Sequence, residues 1–203
     1  MKRYLYLLLV IALFALQACA TDAAPSEGEG SLIPPVSSED DSALQGSAGA
    51  GKPQPSGGGD SGGCTASDAN AASFAAEVIA LVNDYRAQNG LGALTSQPQL
   101  TSAAQRHSLD MGCNFFMSHT GTDGSDPYSR IVDSGYPVNW WGENVAAGYA
   151  TPGAVMDAWI ASPPHNANLL GPNFTEIGIG YVYNPNDTTN SYYHYWTMVL
   201  GSQ

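Results

Sequence analysis

Three side chains stand out for the chemistry they could carry. His119 leaves the aromatic run Phe115-Phe116-Met117 and opens a polar loop, Thr120-Gly121-Thr122-Asp123-Gly124-Ser125-Asp126. Glu143 sits in Trp140-Trp141-Gly142-Glu143-Asn144-Val145, an acid within a short apolar stretch. His165 follows Ser162-Pro163-Pro164. A buried unpaired carboxylate is too costly to keep, so Glu143 is expected at a solvated strand rim or turned into a polar cleft. Polar side chains on loops carried by a rigid base are where function concentrates. An imidazole beside a carboxylate can act as general base and partner. The same pair can supply mixed N and O ligands to zinc, with His165 as the third group. The plainer alternative is a metal-free hydrogen bond between His119 and Glu143 that ties loop to sheet, with His165 exposed at a helix-breaking turn.

Composition narrows the classes. The chain has 203 residues and a net charge of -12, with six Lys and Arg in all. Nucleic acid needs a basic face, and anionic lipid needs basic clusters; neither is present. Met1-Lys2-Arg3 followed by the apolar Tyr4–Leu16 reads as a signal peptide, too short to span a bilayer comfortably. It ends in Leu16-Gln17-Ala18-Cys19, which resembles a bacterial lipobox and implies cleavage before Cys19 and lipidation of that cysteine. Residues 1–18 are thus a signal peptide. The expected localisation is the bacterial cell envelope, at the outer membrane if the source is Gram-negative, or otherwise the cell surface.

Residues 19–63 are rich in Gly, Ser, Pro, Ala, Asp and Glu and show no hydrophobic period. Such a segment cannot offset its ordering entropy and is expected to be a disordered tether. With Cys19 acylated, Cys64 and Cys113 remain, and two thiols outside the cytoplasm usually pair.

The folded region, 64–203, must position the three side chains. Phe74, Val78, Leu81, Val82 and Tyr85 recur at helical spacing after a cap at Ser73, and Asn89-Gly90 stops the helix. Asn83 and Arg86 fall beside that stripe. Ser96-Gln97-Pro98-Gln99 has capping-box spacing. Leu100, Ala103, Ala104, His107 and Met111 then share a face, which makes His107 a packing histidine. Asp126 caps a short helix with Pro127 in its first position, and Thr151-Pro152 repeats the pattern. Val138 to Val145 reads as extended. Thr175 to Tyr183 alternates, with Gly178 and Gly180 leaving room for a backbone to approach. Ser191 to Leu200 completes an antiparallel hairpin with it. Helices first and antiparallel strands late predict a layered α+β domain of about 135 residues, enough for one core.

Five segments in order resemble a known family. They are Asn83-Asp84-Tyr85-Arg86, Ser118-His119, Gly142-Glu143-Asn144-Val145, Trp159 to Asn168, and Tyr195-Trp196-Thr197-Met198-Val199. Together they are similar to the CAP superfamily of cysteine-rich secretory, antigen 5 and pathogenesis-related 1 proteins, in its bacterial SCP-like extracellular branch. The resemblance implies an α-β-α sandwich with a central antiparallel sheet. It also implies a cleft of two histidines and two acids that binds a divalent ion in several members. His119 matches the first cleft histidine and Glu143 the acid. Ser162 and Tyr195 stand where the second acid and second histidine would be, so half the set is missing. Bacterial members commonly carry a Ser-Pro-x-His element, here ending in His165. Asp123 and Asn144 complete the candidate cleft residues.

Three functions remain open. One is a binding module that presents the cleft to an extracytoplasmic ligand or partner. The second is a metal-dependent hydrolase, although no HExxH and no recognisable Ser-His-Asp order occurs. The third is a lipid or sterol carrier, which needs an apolar groove.

Overall fold

The computed structural model describes residues 69–203, together with Cys64, Ala66 and the backbone of 44–47. The expected signal peptide, Cys19 and most of the expected tether lie outside the described residues. The elements in chain order are β1 (Leu44–Ser47), α1 (Ala71–Gln88), β2 (Thr95–Ser96), α2 (Pro98–Asn114), α3 (Pro127–Asp133), β3 (Trp140–Ala147), α4 (Pro152–Ala161), α5 (Pro163–Leu169), β4 (Glu176–Tyr183) and β5 (His194–Ser202). The sheet order is β1-β3-β5-β4-β2. All pairings are antiparallel except the two-residue β2 against β4. The α+β sandwich is therefore as expected, with one short parallel pair at its far edge.

Two layers of helix cover the sheet. On one face α1 and α4 bury Val78, Val82, Val155, Met156 and Trp159 against Ile177, Ile179, Tyr181, Trp196, Met198 and Leu200. On the other face α2 and α3 bury Leu100, Ala103, Ala104 and Ile131 against Val199, and Met111 against Val145 and Tyr195. Successive strand residues face opposite sides, so the alternation in Ile177-Gly178-Ile179-Gly180-Tyr181 serves both layers. The glycines admit the α2 backbone. A Cβ on Gly178 would sit 2.2 Å from the Leu100 carbonyl carbon, and one on Gly180 would sit 2.4 Å from that of Ala104.

Helix starts follow the sequence in part. Asp126 caps α3 with its side chain on Ser129 N, and Ser129 Oγ returns the bond. Thr151 caps α4 through Ala154 N. Two caps fall elsewhere. Asn70, not Ser73, precedes α1, and Ser73 Oγ donates back to the Asn70 carbonyl. Gln97, one residue after Ser96, caps α2 by accepting from Gln99 N. Cys64 and Cys113 form a disulfide that fastens the chain before α1 to the last turn of α2.

One segment departs from the tether expectation. Leu44–Ser47 pairs with β3 in the register Leu44 to Glu143 through Ser47 to Trp140. Strand pairing supplies partners for backbone groups that would otherwise line a sheet edge. That gain is available to any extended sequence, so composition did not reveal it.

Candidate functional site

Glu143 is fully buried and has two partners. Its Oε1 accepts from His119 Nδ1 at 2.8 Å. Arg130 Nη2 donates to Oε2 at 2.9 Å and to Oε1 at 3.1 Å. The same guanidinium holds the His119 carbonyl at 2.9 Å and the Ser125 carbonyl at 2.8 Å. Arg130 thus ties the polar loop, α3 and β3 together in one knot. Burial would raise the Glu143 carboxyl, but the Arg130 charge and the His119 hydrogen bond outweigh it and hold it down at about 2. His107 lies close by, itself buried, with Nε2 donating to the Ser118 carbonyl at 2.7 Å. Burial lowers His107 to about 4, so the imidazole is neutral. It is a packing histidine, and its hydrogen bond fixes the residue before His119.

Asn144 points the other way. Its Nδ2 donates to the His165 carbonyl at 3.1 Å, and its Oδ1 accepts from Asn168 Nδ2 at 2.7 Å. Adjacent residues of one strand face opposite sides, so Glu143, bonded to His119, and Asn144, which holds the His165 backbone, leave β3 on different faces. His165 is also not at an exposed helix-breaking turn. Pro163 and Pro164 begin α5, His165 is 5% exposed, and Ser162 closes α4 while preceding α5. Proline is tolerated in a helix's first turn, where its missing N–H costs nothing.

The first of the five segments sets the position of α5. Asn83 brackets Leu94, donating to its carbonyl at 3.0 Å and accepting from its N–H at 2.7 Å. Tyr85 Oη donates to Asn166 Oδ1 at 3.0 Å. Arg86, expected beside the apolar stripe, is buried within it. Its Nη1 donates to the carbonyl of Leu169, an orphan acceptor at the end of α5, and to that of Gly171 just beyond it.

A cleft of about 420 Å³ opens between the second half of β3 and the α4–α5 turn. Val145, Ala146, Ala147, Tyr149, Trp159 and Tyr192 line it, with Ser162, Pro163, Pro164 and His165 across the mouth. Of the candidate residues, only Ser162 and His165 reach it. Ser162 Oγ is buried there without a hydrogen-bond partner. His119 and Glu143 do not line it and so do not face each other across it. Asp123 is a loop residue paired with Arg106 at 2.8 Å. Tyr195 is fully buried, and its hydroxyl donates to Asp187 at 2.6 Å.

These residues do not fit the expected zinc ion. Glu143 already accepts from a guanidinium and an imidazole, and the His165 backbone is held by Asn144, whose side chain leaves β3 on the other face from Glu143. Among the described residues no group of three or more His, Cys, Asp and Glu side chains is placed to hold a metal. Two residues of this region are absent from the sequence analysis, Arg130, which pairs with Glu143, and Tyr192, which lines the cleft. A signal existed for the first: only three of the six basic residues, Arg86, Arg106 and Arg130, fall after residue 63.

The sequence model of the CAP family, described as the cysteine-rich secretory protein family, matches residues 79–200. This chain belongs to the CAP family. An uncharacterized protein of Bacillus subtilis, YkwD, is 33% identical over 118 residues, which are 58% of this CAP chain and 46% of that relative. The CAP chain thus spans less than half the length of that relative. Among solved structures, an extracellular protein containing a SCP domain from Bacillus anthracis is 25% identical with a TM-score of 0.58, over 66% of this chain and 41% of that one. An outer surface protein from Borrelia burgdorferi, 21% identical with a TM-score of 0.55 over 62% of this chain and 90% of its own, shares the fold. The CAP match covers both the Arg130–Glu143 knot and the cleft.

Proposed function

We propose that this CAP protein is a binding module of the cell envelope, held there by a lipid on Cys19, whose cleft takes a neutral ligand with an apolar body and one polar group. The observation that carries this reading is the division of the site. The buried acid is neutralised by Arg130 beneath the sheet, while the open space is walled by aromatic, proline and alanine side chains. Its volume falls in the range of small-molecule sites, which combine apolar walls with a few polar groups. Ser162 Oγ and His165 supply those groups. The net charge of -12 disfavours an anion. A general base must reach the proton it takes, and Glu143 lies outside the cleft, which weighs against Glu143 as a hydrolytic base. The apolar walls are what a carrier of lipid-like molecules also requires. Export is supported by the basic and apolar leader ahead of Cys19 and by relatives described as extracellular and outer-surface proteins. Among the described residues no helix is long and apolar enough to cross a membrane.

The test is titration with N-phenyl-1-naphthylamine, a neutral probe that fluoresces in apolar surroundings. One saturable site is expected, abolished by Ala158→Trp, a position of α4 that also lines the cleft, with little change in melting temperature. Undiminished binding in that variant would remove the cleft from the reading. For the anchor, fatty-acid labelling should mark the wild type and not Cys19→Ser.

A further inference from the structure

The loop between β4 and β5 is built with more care than a hairpin connection needs. Asp187 is fully buried at its centre. Oδ1 accepts from Asn190 N at 3.0 Å. Oδ2 accepts from Tyr192 N at 2.9 Å, from Tyr193 N at 3.4 Å and from the Tyr195 hydroxyl at 2.6 Å. Burial opposes ionisation of Asp187, but these donors outweigh it and lower its pKa. Two side-chain amides then dock the loop on the end of α2. Asn184 Nδ2 donates to the Gly112 carbonyl at 2.8 Å, and Asn190 Nδ2 to the Phe115 carbonyl at 2.6 Å.

The bonds hold an uncommon backbone. Ser191 and Tyr193 have φ of 60° and 59°, a region side chains other than Gly and Asn seldom adopt. Such residues persist only where their surroundings over-determine them, and they gather at ligand clamps. Between them stands Tyr192, which lines the cleft. Its ring meets Tyr195 edge-on, with centroids 6.2 Å apart. A left-handed residue stands before and another after Tyr192, whose ring joins Tyr149 and Trp159 in lining the cleft.

We infer that Tyr192 is the specificity-determining wall of the cleft and that Asp187 is its positioning residue, so that the site selects ligands carrying a flat ring over flexible chains of similar polarity. This rests on the cleft reading above and goes further by naming the ligand shape. A ring fixed on both sides has little freedom to lose on binding, and an aromatic face rewards a flat partner more than an alkyl chain.

The experiment compares two neutral probes on the full protein: N-phenyl-1-naphthylamine, read by fluorescence, and 1-decanol, read by calorimetry. Tyr192→Ala and Asp187→Asn are expected to weaken the naphthyl probe about tenfold, the equivalent of one lost aromatic contact. Decanol affinity should change less than about twofold, because a flexible chain does not depend on that face. Tyr192→Phe should behave as wild type. Equal weakening of both probes would assign Asp187 and Tyr192 a structural role and overturn the inference, while leaving the cleft reading intact. Wild type that binds neither probe would overturn both. If Asp187→Asn does not fold, the two Tyr192 variants decide.

Discussion

Arg130 Nη2 lies 2.9 Å from Glu143 Oε2, and neither side chain reaches solvent. The acid that sequence alone offers as a metal ligand or base is instead the partner of a buried cation. Removing one member of such a pair leaves a charge stranded, at a cost of about 3–5 kcal/mol. Arg130→Ala should therefore destabilise the domain by that amount in urea unfolding. Replacing both members together, as Arg130→Met with Glu143→Leu, should recover most of the loss. A double variant no better than the single one would mean that the pair does more than satisfy itself.

Acid should unfold the protein in two overlapping windows. His107 is lowered to about 4 in the fold, with burial the chief cause, while Glu143 and Asp110 raise it and Arg130 lowers it. The unfolded chain therefore binds the proton first, and stability falls from about pH 6.5 towards 4. Glu143 is lowered to about 2, so its contribution is complete above about pH 4.5 and is lost between there and pH 2. Each window is on the order of 3 kcal/mol. His107→Gln, which keeps a donor near the Ser118 carbonyl, should flatten the upper window and leave the lower. Melting temperature against pH for both proteins checks this.

Gly180→Ala should cost about 3 kcal/mol or more, because its Cβ would meet backbone atoms of α2 rather than a movable side chain. Gly153→Ala in α4, where a Cβ meets nothing within 4 Å, should be neutral or slightly stabilising. Chemical denaturation of the two variants separates steric contact from a general effect of glycine.

Much of the scaffold was legible because its signals are local. Asp126-Pro127 and Thr151-Pro152 mark helix starts by chemistry contained in two or three residues. Gly178 and Gly180 announced a close approach that α2 makes. The site was less legible because its logic is carried by strand parity and distant partners. Nothing near Arg130 distinguishes it from a solvated arginine in a helix's last turn; its meaning lies in Glu143, on another element. His119, Glu143 and His165 formed a plausible set in sequence, yet one step along β3, from Glu143 to Asn144, decides which side chain bonds His119 and which holds the backbone of His165. Ser162-Pro163-Pro164 looked like a stop because proline ends helices, whereas the same residues here end one helix and begin the next.

Opening the Cys64–Cys113 bridge should lower stability by about 4 kcal/mol on loop-closure grounds, for a separation of 49 residues. Cys64→Ser with Cys113→Ser should melt earlier than wild type and lose affinity for the naphthyl probe, since the end of α2 carries the docking carbonyls of Gly112 and Phe115. Full affinity in the disulfide-free protein would show that the loop's own bonds suffice.

The bridge also decides where mechanical load enters the domain. Once Leu44–Ser47 has been drawn off β3, a pull on the chain upstream of Cys64 does not begin by unwinding α1 from its first residue, Ala71. It crosses the sulfur bond to Cys113 and is delivered to the last turn of α2, whose backbone is seated on Gly178 and Gly180 in the middle of the sheet. Tension thus passes to a helix backbone seated directly on the sheet, and α1, with Tyr85 and Arg86 holding α5 in place, is spared the strain.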